Sequence, residues 1–414
     1  MKTRSAQAFT GYQKFVIVIL ALMLFTVMLD FMVLSPLGNI LMTTMDLSPQ
    51  QFGSVVSAYA ISACISGFLA AGFADKYDRK KLLLFFYTGF IMGTLFCALA
   101  NSYAALLAAR IFTGIFGGVI SSISMAIVTD LFALEQRGKV MGLIQMAFAG
   151  SQILGIPVGL WMATHWGWHS TFFAIVVLAV LIGVAVVLRL RPVNEHLKLQ
   201  NSKSPVLHLW HTVRKKDYRT GFVAIMLLSM GGFMIAPFSS DFYVNNVKID
   251  INDVPIIFMC SGVASVFIMP LVGKLSDRFD KFGMFVSGTV IACIMVVIST
   301  NLGPTPLWEV VLINILMFVG IMSRMVPSQA LNSAVPEVTD RGAYMSINSS
   351  LQQLAGGLGA MFAGFIVVKA DASSPLEHFD TLGYVMVAIM LLCIFLMWRV
   401  NRMIKVRPQS VEQQ

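Results

Sequence analysis

Residues 71–80 read AGFADKYDRK, and residues 273–282 read GKLSDRFDKF. From Asp75 in the first stretch and from Asp277 in the second, acidic, basic, aromatic, acidic and basic residues follow one another in the same order. Each stretch comes directly after a long apolar segment, so each begins a polar connection. The recurrence of this connection indicates that the chain consists of two similar halves.

The composition is typical of a protein whose solvent is the lipid bilayer. Of the 414 residues, 57% are hydrophobic and 12% are charged, whereas soluble domains carry about 25% charged residues. A membrane-spanning helix needs about 20 mostly apolar residues, and twelve segments meet this requirement. They cover roughly 15–40, 50–74, 82–100, 104–129, 139–164, 170–190, 220–244, 254–275, 283–301, 307–333, 343–369 and 381–402.

The sequence therefore predicts an all-α membrane protein with twelve transmembrane helices in two six-helix repeats. The long hydrophilic connection 191–219 separates an N-terminal bundle over 1–190 from a C-terminal bundle over 220–414, and we expect it to be a cytoplasmic linker. The first apolar run begins at Phe15 and is too long for a cleavable signal peptide, so we expect it to be retained as the first spanning helix.

Positive charges alternate between the connections. Lys and Arg concentrate in every second connection, and the connections between them hold only Lys248 and Lys369. Because Lys and Arg mark cytoplasmic loops, we expect both termini in the cytoplasm and the protein in a bacterial inner membrane. The same distribution accounts for the net charge of +9 without a nucleic-acid partner.

The stretch 71–80 resembles the loop pattern G-x-L-A-D-R-x-G-R-K of the major facilitator superfamily. Asp75 and the basic cluster match, whereas the first Gly is displaced by one position and Asp78 stands where Gly is usual. In the second copy, Gly273 is in register. The resemblance covers nearly the whole chain. It implies a secondary transporter in the lipid bilayer, with protons and a small-molecule substrate as its partners, and we expect a monomer.

Four residues of these two connections are candidates for a gate: Asp75, Arg79, Asp277 and Arg278. An acidic residue here can pair with a basic group or cap the N-terminus of a neighbouring helix. Such contacts can hold one conformation and break in the other. The alternative is that the basic residues only orient the chain during insertion, to which acidic residues contribute little.

The predicted fifth helix carries Gly150, Gly155, Pro157 and Gly159. This run is similar to the glycine ladder ending in G-P-x-x-G-G that is typical of proton-coupled exporters, and it favours the twelve-helix drug:proton antiporter branch of the superfamily. One residue separates Gly155 from Pro157, and the terminal glycine pair is a single glycine here. The alternative is generic close packing of helices through small residues.

Charged residues within apolar segments are functional candidates, because a charge at mid-bilayer costs about 2.5–3.5 kcal/mol on insertion scales. The resemblance places four of them on helices 1, 4, 7 and 10, which line the central cavity in this family. These four charged residues are Asp30, Arg110, Asp241 and Arg324. Gln145 and Gln352 are two further polar candidates for the same cavity.

Each of these residues also has a structural alternative. Arg110 can reach the outer interface, Asp241 can be an interfacial residue, and the glutamines can form hydrogen bonds only between helices. Asp30 is the candidate for the transported proton, because burial disfavours the charged form of a carboxyl group. It can instead bind a cationic substrate directly, or form a permanent salt bridge that only supports folding.

The combined prediction is proton-coupled efflux of small amphipathic organic compounds, drug-like or metabolite. The alternative within the same class is an importer or facilitator for a sugar or an organic acid. A pore or a membrane-embedded enzyme would be the rival outside it. No phosphate-binding loop, zinc motif or clustered nucleophile and base occurs in the sequence, so we expect no enzyme, no cofactor and no metal, with a proton gradient as the energy source.

Overall fold

Apart from its polar connections, the chain is helical. The computed structural model describes residues 9–73, 77–194, 211–337, 340–371 and 374–406. Within these ranges the only β-type pairing is an isolated bridge between Val368 and Glu377. Ten helices in the same ranges are long and apolar enough to cross a membrane.

The helices of the first half follow the predicted segments closely. They are α1 (Gly11–Val33), α2 (Gly38–Thr44), α3 (Pro49–Phe73), α4 (Arg79–Leu99), α5 (Tyr103–Leu131), α6 (Leu134–Gly150), α7 (Ile156–Trp166) and α8 (Trp168–Arg189). A π-helical turn, Ser151–Gly155, joins α6 to α7.

The second half has a similar order of helices, with one continuous helix in place of the two that the π turn joins. They are α9 (Lys216–Ile235), α10 (Ser239–Asn245), α11 (Val254–Arg278), α12 (Lys281–Thr300), α13 (Leu307–Ser333), α14 (Arg341–Ile366) and α15 (Phe379–Val406). A short 3₁₀ turn, Ala236–Phe238, joins α9 to α10. The predicted segments 139–164 and 343–369 correspond to α6 with α7 and to α14, which are not among the ten apolar helices. The count of twelve spans therefore stays a prediction.

Proline divides two segments that the sequence predicts to be continuous. The first predicted span runs over 15–40, but α1 ends at Val33 and α2 begins at Gly38. Pro36 lies in this break, and a proline disfavours helical geometry in the residue before it. Pro237 lies in the 3₁₀ turn between α9 and α10 in the same way.

Local capping fixes where several helices begin. The backbone N–H of Gln51 donates to the Ser48 hydroxyl at 3.2 Å, and the Gln51 side chain accepts from the Ser48 backbone at 3.0 Å. This reciprocal capping box confirms the helix start that the sequence indicates there. Thr10 and Gln13 form the same arrangement at the start of α1.

The chain divides into two compact units. The first comprises Met1–Leu37 and Ala58–Ser204, and the second comprises Gly38–Ser57 and Pro205–Gln414. In the first unit, apolar side chains of α1, α4, α5 and α8 form one buried core. Its members include Leu20, Met23, Phe90, Ile120 and Ile182.

The π turn keeps the glycine ladder in register with α1. A Cβ atom added at Gly155 would lie 2.6 Å from Leu29, and one added at Gly159 would lie 2.8 Å from Val33. One turn earlier, a Cβ atom added at Gly150 would lie 3.6 Å from the Phe25 side chain. The contacted residues of α1 are spaced by four, whereas the first two glycines are spaced by five. A π turn adds one residue to an α-helical turn, so it restores the match.

Candidate functional site

A buried ion pair joins α1 to α5. Nη1 of Arg110 donates to Oδ2 of Asp30 at 2.7 Å, and both side chains are 0% exposed. The Thr94 hydroxyl on α4 donates to the other carboxylate oxygen at 3.2 Å. The guanidinium of Arg110 also lies over the Tyr59 ring, with its carbon 4.6 Å from the ring centroid. Two of the four charged residues singled out in the sequence therefore meet in one site.

This geometry excludes the interfacial alternative for Arg110. The side chain does not reach an interface, because it is fully buried against Asp30. Two opposite charges removed from water are stable only when they are well paired, and removing one partner of such a pair costs about 3–5 kcal/mol. The pair is nevertheless incomplete, since Nε and Nη2 of Arg110 have no hydrogen-bond partner.

A second buried cluster surrounds Asp241 on α10. Its Oδ1 accepts from the amides of Asn39 and Asn245 at 2.8 and 2.9 Å and from the ammonium of Lys369 at 2.8 Å. The Asp241 side chain is 0% exposed and that of Lys369 is 3% exposed. Asp241 is therefore not an exposed interfacial residue. Its second oxygen, Oδ2, has no partner.

Sequence reasoning missed Asn39, Asn245 and Lys369 in this cluster, and the missed cation is Lys369. It lies in a polar connection after α14, where an ordinary lysine is solvated. The one available signal is its rarity, because the connections expected outside the cell contain only Lys248 and Lys369. Asn314 on α13 is placed close by, donating to the Tyr243 hydroxyl at 2.6 Å.

Arg324 on α13 stands apart from both clusters. Its side chain is 3% exposed, and its guanidinium carbon lies 5.9 Å from the centroid of the Phe285 ring. The Cys393 thiol on α15 interacts with the guanidinium. Nε and Nη2 have no hydrogen-bond partner, and no carboxylate of the described ranges forms an ion pair with this arginine.

The two glutamine candidates are less informative. Gln352 is half-buried on α14. Gln145 lies on α6, but its side chain is outside the described residues. A common cavity for the candidates on helices 1, 4, 7 and 10 stays a prediction.

The candidate gate is described only in part. Asp75 lies outside the described residues, as does the side chain of Asp277, whereas Arg278 is exposed at the end of α11. Arg79 is buried, and its Nε lies 3.3 Å from Oδ2 of Asp130 at the end of α5. Its backbone N–H also donates to the carbonyl of Val193 at 3.0 Å.

A second ion cluster occurs in the second unit. Nζ of Lys215 lies 2.5 Å from Oδ2 of Asp340 and 3.5 Å from Oε2 of Glu337. The Tyr218 hydroxyl donates to the same oxygen of Asp340 at 2.8 Å. The hydrogen bond to Asp340 raises the pKa of Lys215. Sequence reasoning missed this cluster, because Lys215 and Tyr218 lie more than a hundred positions from Glu337 and Asp340.

Comparison with curated relatives adds an independent line of evidence. The MFS-type transporter YbcL of Bacillus subtilis is 23% identical over 380 residues, covering 92% of this chain and 95% of the relative. Multidrug resistance protein 2 of the same organism is 24% identical over 298 residues, covering 69% and 74% of the two chains.

Solved structures show the same fold. A bacterial homologue of the human lysosomal transporter Spinster superposes with a TM-score of 0.79 at 16% sequence identity, covering 96% of this chain and 98% of that one. The family model of the Major Facilitator Superfamily matches residues 20–237 and 221–413, which together take in nearly the whole chain. Members of this family are transporters and not enzymes, as the sequence predicts. This chain belongs to the major facilitator superfamily.

Proposed function

We propose that this protein is a proton-coupled exporter of small amphipathic organic compounds. The observation that carries the proposal is the buried pair of Asp30 and Arg110, in which a carboxylate able to exchange a proton is held inside an apolar helix bundle. The similarity to Multidrug resistance protein 2 supports export as the direction. The packing of the glycine ladder of α6 and α7 against α1 beside Asp30 supports the same assignment.

In this proposal Asp30 carries the transported proton. Burial disfavours the charged carboxylate, whereas Arg110 and Thr94 stabilise it. These opposing effects leave the balance between the two protonation states sensitive to small changes around the pair. Protonation on one side of the membrane and release on the other would then couple the proton gradient to transport.

The remaining features of the proposal follow the sequence predictions. The protein would have twelve spans, act as a monomer in a bacterial inner membrane with both termini in the cytoplasm, and need no cofactor. Asp75, Asp277 and Arg278 would take part in gating together with Arg79. The ion pair between Arg79 and Asp130 supports a structural role for this loop in the first unit.

Everted membrane vesicles give the direct test. Respiration acidifies their interior, so a proton-coupled exporter should accumulate fluorescent amphipathic dyes inside vesicles that contain the protein. The accumulation should saturate and should collapse when a protonophore is added. Vesicles from cells that lack the protein are the control.

The alternative functions predict a different pattern of uptake into right-side-out and everted vesicles. A proton-driven importer for a sugar or an organic acid would accumulate it in right-side-out vesicles and not in everted ones, whereas a facilitator would equilibrate it in both without a proton gradient. A pore would show flux that does not saturate. Either result would replace the proposal of proton-driven export.

A further inference from the structure

The guanidinium of Arg324 is a buried positive charge whose compensating anion is absent from the described part of the chain. It lies on α13, 3% exposed, with the Phe285 ring on one side and the Cys393 thiol on another. A thiol is a weak hydrogen-bonding group and carries no charge in its ordinary state. An unpaired charge inside a membrane protein is costly, and such residues face functional paths as a rule.

The unpartnered nitrogens of Arg324 are Nε and Nη2. Their N–H bonds point the same way along one edge of the planar guanidinium. This edge is the fork that binds both oxygens of a carboxylate or phosphate in parallel. The free edge therefore has the geometry of a bidentate oxyanion site, rather than that of a lone donor.

Further unpaired polar atoms occur on α13 and α14 of the second unit. Ser328 and Asn332 follow Arg324 on α13 at intervals of four, so the three side chains share one helix face. All three are buried. Nδ2 of Asn332 and Oδ1 of Asn348, on the neighbouring α14, have no hydrogen-bond partner either. The two unpaired nitrogens of Arg324 are both donors, which favours an anionic ligand.

The comparison with Arg110 isolates what is unusual about Arg324. Both arginines leave Nε and Nη2 unpartnered. Arg110, however, is neutralised by Asp30 through its third nitrogen at 2.7 Å, whereas Arg324 has no ion-pair partner among the described residues. Pro327 has no backbone N–H to donate to the carbonyl of Ser323, which weakens the helix beside Arg324.

We propose that Arg324 binds an oxyanion group, a carboxylate or a comparable acidic group, on the compound that this protein transports. This inference rests on the proposed function and narrows its substrate class to amphipathic organic acids and zwitterions. Phe285 would contact the apolar body next to the acidic group, and the face of α13 that carries Ser328 and Asn332 would supply further hydrogen bonds.

Binding to the purified full-length protein in phosphatidylcholine nanodiscs tests the inference without any transport step. The probes are naphthylacetate, naphthylacetamide and naphthylethylammonium, which share one ring system and differ in charge. The wild-type protein should bind the carboxylate about tenfold more tightly than the amide, because a charge-assisted hydrogen bond is worth more than a neutral one. The ammonium compound should bind most weakly. Equal affinity for carboxylate and amide in the wild type overturns the inference.

Three variants complete the test. Arg324→Met should bind carboxylate and amide equally, and Arg324→Lys should keep part of the preference, since lysine has charge but no fork. Arg219→Met is the matched control, because Arg219 is an exposed arginine of the same unit; it should keep the full preference. A preference that survives in Arg324→Met, or that disappears in Arg219→Met, contradicts the assignment.

Two controls distinguish loss of ligand binding from loss of folding and from binding of a lipid headgroup. Replacing a buried unpaired charge by an apolar residue of similar volume is often neutral or stabilising, so Arg324→Met should melt at or above the wild-type temperature. Anionic phosphatidylglycerol offers the same chemistry in its headgroup. If nanodiscs containing it abolish naphthylacetate binding in the wild type, Arg324 holds a lipid phosphate and the substrate assignment is wrong; undiminished binding supports it.

The outcome is distinguishable from that of the proposed function. If the protein binds naphthylacetate through Arg324 but moves no compound in response to a proton gradient, the export proposal fails and the anion site stands. If proton-driven export occurs but Arg324→Met leaves the preference for acids unchanged, the anion site fails alone.

Discussion

Arg110 holds Asp30 through a single nitrogen, with Nη1 2.7 Å from Oδ2, although the fork formed by its Nε and Nη2 is unoccupied. A bidentate pair would be stronger. One hydrogen bond to a charged group contributes about 1.5–3 kcal/mol, and one elementary charge moving across about 100 mV gains about 2.3 kcal/mol. The two quantities are comparable, which is the energetic requirement for the proton coupling that we propose.

Asp30→Asn should abolish proton-driven accumulation in everted vesicles, because an amide cannot take up and release the transported proton. Substrate binding, and exchange that needs no gradient, should persist. The measurement is dye accumulation on an imposed pH gradient, compared with equilibrium binding in the same preparation. Uphill transport by the variant would exclude Asp30 as the coupling site, and loss of binding for cationic compounds alone would make it a substrate ligand instead.

The same substitution leaves Arg110 buried without its counter-charge, which costs about 3–5 kcal/mol when a buried pair is broken. A control for folding is therefore needed. The double variant Asp30→Asn with Arg110→Met removes both charges and should recover most of the lost thermal stability. If the double variant also recovers coupling, the pair only supports folding.

Asp241 and Lys369 should behave as one energetic unit in the second half of the molecule. Asp241→Asn and Lys369→Met each leave a buried partner uncompensated and should each destabilise the protein by about 3–5 kcal/mol. The double variant should lose much less than the sum of the two. Thermal unfolding of the wild type, the two single variants and the double variant in detergent completes this double-mutant cycle. Additive losses of stability would show that the 2.8 Å contact between the two side chains contributes little.

The π turn makes a prediction about single-residue deletions. Deleting Leu154, which is 65% exposed inside the turn, should convert it into a regular α-helical turn. Gly150 and Gly155 would then be spaced by four and still face α1. The variant should fold, with a melting temperature within a few degrees of the wild type.

The matched deletion is that of Leu143, an exposed residue in the regular part of α6. Removing it rotates one part of the helix against the other by about 100°, so the glycines leave their contacts with α1. This variant should be poorly expressed or should melt far below the wild type. Equal behaviour of the two deletions would contradict the register argument.

Cysteine labelling tests the expected orientation in a background in which the five native cysteines are replaced by alanine. Gly303→Cys lies in an expected outer connection, and a side chain there meets no other atom within 4 Å. Phe279→Cys lies in an expected inner connection and is 63% exposed in the native chain. An impermeant thiol reagent should label the first in intact cells and the second only after permeabilisation. The reverse pattern would invert the topology.

Hydrophobicity and charge predicted the positions of the helices well, because both patterns are local in the sequence. What they could not predict is where a helix changes its hydrogen bonding. The π turn in Ser151–Gly155 lies within a segment predicted to be one helix, and its only sign in the sequence is the five-residue spacing of Gly150 and Gly155. The breaks at Pro36 and Pro237 had a visible cause in the sequence, but each lies in a segment long enough to be taken for one span.

The candidate site was predictable as a set of residues but not as a set of pairs. Asp30 and Arg110 each stand out as charges in apolar segments, yet their contact joins residues 80 positions apart, and no local pattern encodes it. The burial of Lys369 was not predicted, because a lysine in a polar connection is usually solvated. The sequence also could not predict that Arg324 has no ion-pair partner among the described residues, since this depends on which side chains surround it.

Burial of Lys369 also changes the electrostatic potential at the expected outer surface. Its charge is removed from solvent and cancelled by Asp241, so Lys248 is the exposed cation among the described residues of those connections. Exposed carboxylates share that surface: Asp46, Asp250, Asp371, Glu377 and Asp380. A predominantly negative surface alters the local concentration of ions within a Debye length of about 8–10 Å. If the transported compound is the organic anion that we propose, it would be repelled after release at this surface, and its rebinding would be slowed.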